Sequence, residues 1–210
     1  MKAACIILCL LPGILFAQNT DTMFTGEYYL RGVMEVASGF RFNADSSFDF
    51  YFSYGALDRV GKGTFERRGD SLILHSAPKP ERDFILKTEK KTDDPKVVIQ
   101  VTDPNPMVLS HVLCGLETQD SIFEGQSDRE GYIVFDKMPV KNIFLMHEFW
   151  PDRASVFPVA DSENNFFIFT IDPHIVEVEF KGVVLHLVDD VLEGPHPLLK
   201  PDRVYRFEKQ

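Results

Sequence analysis

Phenylalanine recurs at every second position in two neighbouring stretches, Phe40 and Phe42, then Phe48, Phe50 and Phe52. Successive side chains of a strand point to opposite faces, so such runs put their rings on one face of a sheet. A helix would scatter the same rings around its axis. The chain holds 19 phenylalanines, a residue that suits a pleated, half-buried surface. Asn43-Ala44-Asp45-Ser46 separates the two runs with residues that favour turns. Arg68-Gly69-Asp70 predicts a second turn, between Gly63-Thr64-Phe65-Glu66 and Ser71-Leu72-Ile73-Leu74. No segment holds a 3.6-residue period for three turns, so the predicted class is all-β.

Glu89-Lys90-Lys91-Thr92-Asp93-Asp94-Pro95 is charged, free of apolar residues and closed by proline, which reads as a boundary. Residues 24–88 are predicted as an antiparallel meander and 96–208 as a small antiparallel β-sandwich. In the second part, strands are expected over 96–102, 107–116, 121–125, 132–135 and 142–149. Further strands are expected over 154–159, 166–171, 175–180, 183–188 and 203–207, with a turn at Asp103-Pro104-Asn105-Pro106. Short strands at even spacing with turn signals between them suggest a sandwich or barrel.

Residues 1–17 read as a secretory signal peptide. Lys2 gives a basic start, Ala3 to Phe16 an apolar run, and Ala17 a small residue at the expected cut. The run falls short of the roughly 20 residues of a membrane span, and Pro12-Gly13 interrupts it. The mature chain is therefore expected to begin at Gln18, to be secreted or periplasmic, and to carry no transmembrane helix. Hydrophobic residues make up 44% of the chain, enough for a core. The net charge is −10, and losing Lys2 makes it one unit more negative. Such an acidic chain repels phosphate backbones, which argues against nucleic acid as a partner. Cys5 and Cys9 leave with the leader, so Cys114 has no intrachain disulfide partner. Its apolar neighbours predict a buried, inert thiol.

Catalytic and cofactor signatures are absent. No Gly-x-Ser-x-Gly, G-x-x-x-x-G-K-[ST] or G-x-G-x-x-G occurs. His75, His111, His147, His174, His186 and His196 form no closely spaced pair, so no zinc set is predicted. Asp161-Ser162-Glu163-Asn164-Asn165 is oxygen-rich but lacks the spacing of a calcium loop, and reads as a polar turn. No cofactor is expected. The most distinctive segment is Tyr51 to Arg59, where Tyr54, Asp58 and Arg59 flank a glycine-containing connection. These three are the candidate ligand-binding residues, suited to a peptide or a carbohydrate. The competing account makes them structural, with Arg59 paired and Tyr54 packed. Glu35, Asp58, Glu148 and Asp152 qualify by type alone as catalytic carboxylates.

Two stretches resemble known families. Thr25 to Gly32, Asp45-Ser46-Ser47-Phe48, Gly61-Lys62-Gly63-Thr64-Phe65 and Gly69 to Leu74 follow one order. They resemble small lipocalin-like meanders of secreted bacterial proteins, with Phe65 where tryptophan is usual. Val98 to Pro104 with Ser127-Asp128-Arg129-Glu130-Gly131-Tyr132-Ile133-Val134-Phe135 is similar to carboxypeptidase-regulatory-like and transthyretin-like sandwiches. Both resemblances imply architecture and carry no catalytic residues. The resulting expectation is a secreted, non-enzymatic binding or scaffolding protein. The alternatives are a hydrolase acting on an extracellular polymer, with carboxylates from separate strands, and an outer-membrane-associated β-protein.

Overall fold

A computed structural model describes residues 24–55 and 57–210. The expected leader, 1–17, lies outside the described residues. The strands are β1 (Gly26–Arg31), β2 (Ala37–Phe42), β3 (Ser47–Tyr54), β4 (Leu57–Arg68) and β5 (Ser71–His75). They continue as β6 (Phe84–Lys90), β7 (Lys96–Thr102), β8 (Val112–Glu117), β9 (Ile122–Gln126), β10 (Tyr132–Asp136) and β11 (Asn142–His147). The last are β12 (Trp150–Pro158), β13 (Phe166–Ile171), β14 (Lys181–Val188), β15 (Val191–Gly194) and β16 (Tyr205–Lys209). Two 3₁₀ turns, Pro106–His111 and Pro173–Val176, complete the described elements. The all-β class is as expected.

Eight strands close into a barrel in the order β1-β16-β15-β14-β5-β4-β3-β2. Neighbours are antiparallel throughout, so the barrel is a meander interrupted once, between β5 and β14. The other eight strands, β6 to β13, form two four-stranded sheets, β10-β7-β13-β6 and β12-β11-β8-β9. Their inner faces share one apolar core. The pairing therefore groups the chain differently from the expected division at 24–88 and 96–208. Strands β14 to β16 belong to the barrel, and β6 belongs to the sandwich sheets. The reason is non-local pairing: β1 takes β16 as its second neighbour, and nothing near either strand in sequence announces it.

The alternating phenylalanines face the barrel interior as predicted. Phe40 meets the rings of Phe42, Phe48, Phe50, Phe180 and Phe207 at centroid separations of 5.0–6.3 Å. Eight strands leave a lumen just wide enough for side chains to fill. Here aromatic rings fill it, and Phe180 enters from the connection before β14. Gly61 makes room for that entry, since a Cβ there would stand 2.7 Å from the Phe180 ring.

The stretch 89–95, expected as a boundary, is a mostly exposed connection leading out of β6 and is pinned. Buried Asn165 accepts from Thr92 N (2.7 Å) and donates to the carbonyls of Asp94 (2.8 Å) and Lys96 (3.0 Å). Two expected strands are corrected: 107–116 becomes strand only from Val112, and 175–180 forms no strand, with Glu177 making an isolated bridge to Val60. Residues 106–111 and 173–176 are 3₁₀ turns, capped by the side chains of Asn105 and Asp172. Proline lacks the N–H a ladder needs, and an Asx cap satisfies the first free N–H of the turn. The sandwich also contains one parallel pair, β7 with β13. The Asp128–Gly131 turn has the expected chemistry. Asp128 accepts from Glu130 N and Tyr132 N, and Gly131 has φ +84.

Candidate functional site

Of the three predicted site residues, the structure separates Arg59 from the other two. The β3–β4 hairpin closes with Tyr54 opposite Leu57, and Gly55 takes φ +59 to make the turn. Tyr54 is 50% exposed near that tip. Asp58 is exposed on the outward alternation of β4. Arg59 is only 3% exposed and pairs across the ladder with buried Phe52. Its guanidinium grips both oxygens of Asp152 and donates to the carbonyls of Val176 (3.1 Å) and Glu177 (3.4 Å). All four contacts lie on β12 or the segment after β13, so Arg59 joins the barrel to the sandwich. A buried guanidinium whose donors are engaged this way is held in place rather than presented to a ligand.

The junction has further ties. Val178 N donates to Val60 O (2.7 Å), and Lys79 donates to Glu177 O (2.6 Å). Within the sandwich, Arg153 of β12 makes a bidentate bond to buried Asp83 beside β6 (3.0 and 2.6 Å). Burial pulls the Lys79 ammonium below its ordinary range, against the opposing pull of Asp83.

Beside this junction lies a cleft of about 500 Å³. Four separate connections build it. The β3–β4 hairpin contributes Asp58, and the stretch from β7 through the first 3₁₀ turn contributes Asp103, Met107 and His111. The tip of the β11–β12 hairpin contributes Phe149 and Trp150, and the turn after β13 contributes Asp172 and Ile175. Local chemistry fixes each wall. Asp103 accepts from Asn105 N (2.8 Å) and Asp172 from His174 N (2.9 Å), as turn-forming aspartates do. Asp58 has no hydrogen-bond or ion-pair partner among the described residues.

The aromatic wall is closely packed, with rings tilted against each other. His111 lies against Phe149, and His147 against Trp150, each at a centroid distance of 4.3 Å. His111 Nδ1 meets Glu148 at 2.9 Å. Buried His147 accepts from Phe149 N at Nδ1 (3.1 Å), so its proton sits on Nε2 and goes to Val108 O (3.0 Å). Burial holds its pKa below the ordinary histidine value. Trp150 Nε1–H is buried with no acceptor among the described residues. The cleft was not readable in the sequence, because its walls are far apart in the chain. The one available signal was Glu148-Phe149-Trp150, which places the single tryptophan beside a hairpin turn.

A second histidine pair has no catalytic sense. Leu198 N donates to His196 Nδ1 (3.1 Å), so the ring proton lies on Nε2 and points to Ser38 Oγ (3.0 Å). Ser38 donates onward to Tyr51 O (2.8 Å). A nucleophilic serine would donate to the histidine instead. Burial alone pushes His196 down to about 4. Cys114 is buried, and burial pushes its thiol up to about 12, which makes it inert as expected. Among the described residues no three His, Cys, Asp or Glu side chains are placed to hold a metal ion. No described helix is long and apolar enough to cross a membrane. No family model matches the chain, and neither a curated protein nor a solved structure is similar to it.

Proposed function

We propose that the chain is an exported, non-enzymatic binding protein whose site is the cleft at the junction of barrel and sandwich. One observation carries this reading. Rings and carboxylates from four separate connections converge on a single concavity, whereas the barrel interior is occupied by its own side chains. Pockets that bind ligands pair apolar walls with a few placed polar groups, and favour the meeting of two structural units. The lipocalin-like resemblance thus extends to the barrel's shape, while binding belongs to the seam beside it. Exposed ion pairs on the outside of the barrel, Glu27 with Arg41 and Arg31 with Glu208, weigh against an outer-membrane barrel. A membrane barrel carries an apolar band there.

Trp150 is the single tryptophan and lines the cleft, so its emission reports occupancy directly. Mature protein titrated with pools of short peptides and oligosaccharides is expected to show a saturable change in emission. Phe149→Ala is expected to remove it. A ligand that binds saturably without affecting Trp150 and survives Phe149→Ala overturns the assignment of the site. Conversion of the ligand into product overturns the non-enzymatic reading.

A further inference from the structure

We infer that the group held in the cleft is a cation on an apolar stem, as in a lysine or arginine side chain of a peptide. The inference rests on the cleft being the binding site and names what it takes. Three carboxylates line it, Asp58, Asp103 and Asp172, and no lysine or arginine does. Asp103 accepts a backbone N–H through one oxygen, which orients it without neutralising it, whereas Asp172 accepts from His174 N and also meets His174 Nδ1 at 2.8 Å. Asp58 brings a third negative charge with no partner among the described residues. Arg59, the nearest cation in sequence, is turned away and bound to Asp152. An anionic or purely neutral ligand would leave the charges of Asp58 and Asp103 uncompensated.

The walls supply what the stem needs. Phe149 and Trp150 line the cleft with aromatic surface, which attracts a cation and packs against methylenes. Met107, 79% exposed at the rim, adds an adaptable apolar edge. A peptide is favoured over a free amine by the unspent indole donor. Trp150 Nε1–H has no acceptor among the described residues, a role that a main-chain carbonyl of the ligand would fill. The net charge of −10 draws a basic segment toward the protein as a whole.

The test titrates mature protein with Gly-Lys-Gly, Gly-Arg-Gly, tetramethylammonium and a neutral trisaccharide, read by Trp150 emission and by calorimetry. The basic tripeptides are expected to bind saturably. Acetylating the lysine ε-amine is expected to abolish binding. Asp58→Asn, which sits on an exposed position, is expected to weaken it about 5-fold or more, with raised salt acting the same way. Tetramethylammonium binding as tightly as the tripeptides overturns the peptide assignment. A trisaccharide that shifts Trp150 in a Phe149-dependent way, with no response to any cation, overturns this inference and leaves the cleft as the binding site. No response to any probe, together with a screened ligand that ignores Phe149→Ala, overturns both.

Discussion

The barrel and the sandwich solve the same burial problem with different side chains. Among the described residues, ten of the sixteen buried core positions of the barrel are phenylalanine or tyrosine. In the sandwich the corresponding number is four of sixteen, and valine, isoleucine and leucine do most of the filling. A closed eight-stranded sheet encloses one narrow column, which planar rings fill from few positions by edge-to-face contact. Two facing sheets about 10 Å apart offer many shallow positions, which branched aliphatics interdigitate across. The contrast bears on the proposed site. A column occupied by Phe40, Phe48, Phe50 and Phe180 has no room for a guest, so a ligand of this protein has to bind outside the barrel lumen, as the proposed cleft does.

The largest test of this contrast is Phe40→Ala. Its ring touches five others, and its removal is expected to cost about 3–5 kcal/mol. Ile99→Val in the sandwich core is expected to cost about 1 kcal/mol. Chemical denaturation of both variants measures the difference, and similar losses would break the contrast. Next comes Arg59→Ala. It removes a buried cation that joins the two units, so a loss of about 3 kcal/mol is expected. Calorimetry is also expected to resolve two transitions where the parent shows one. A loss below 1 kcal/mol, the range of exposed pairs, would return Arg59 to the surface-binding account.

The barrel should also respond to acid through His196. Its folded pKa is about 4 because of burial, against an ordinary value of about 6.5. The unfolded chain takes up a proton first as pH falls, so His196 leaves stability intact above about 6.5 and erodes it from there down to about 4. The full loss amounts to about 3 kcal/mol. Melting temperatures of the parent and His196→Phe across that window check it. Parallel curves for the two proteins would show that His196 does not carry the effect. The smallest expected change is Trp150→Phe. The indole N–H makes no hydrogen bond among the described residues, so stability is expected to change by less than about 1 kcal/mol, and a larger fall in denaturation midpoint would reveal a partner for it.

What could be read in advance was local. The Phe40–Phe52 alternation, the Gly69 turn and the Asp128–Gly131 turn each carry their cause within a few residues. Strand β15 was missed because it is four residues long and follows Asp189 and Asp190, both at positive φ in a tight turn. Residues 107–111 and 175–176 were read as strand because their apolar side chains outweighed the cap before each turn. Asn165 looked like a loop residue, yet it holds the 92–96 connection through four hydrogen bonds. At the cleft only Asp58 was named for binding. Its other walls become neighbours only once the sandwich is seated on the barrel.

The place of the sandwich between β5 and β14 also sets an order of assembly. Synthesis delivers β1 to β5 first, and they stand as an open sheet with β1 and β5 as its two free edges. Strands β6 to β13 follow without interruption and can complete their own core before β14 emerges. Free edges are templates for pairing with other chains, and partners distant in sequence are slow to meet. The barrel is thus committed last, when β16, five residues from Tyr205 to Lys209, slots between β1 and β15. Until that seam closes, the most aromatic part of the protein is exposed to every neighbour it meets.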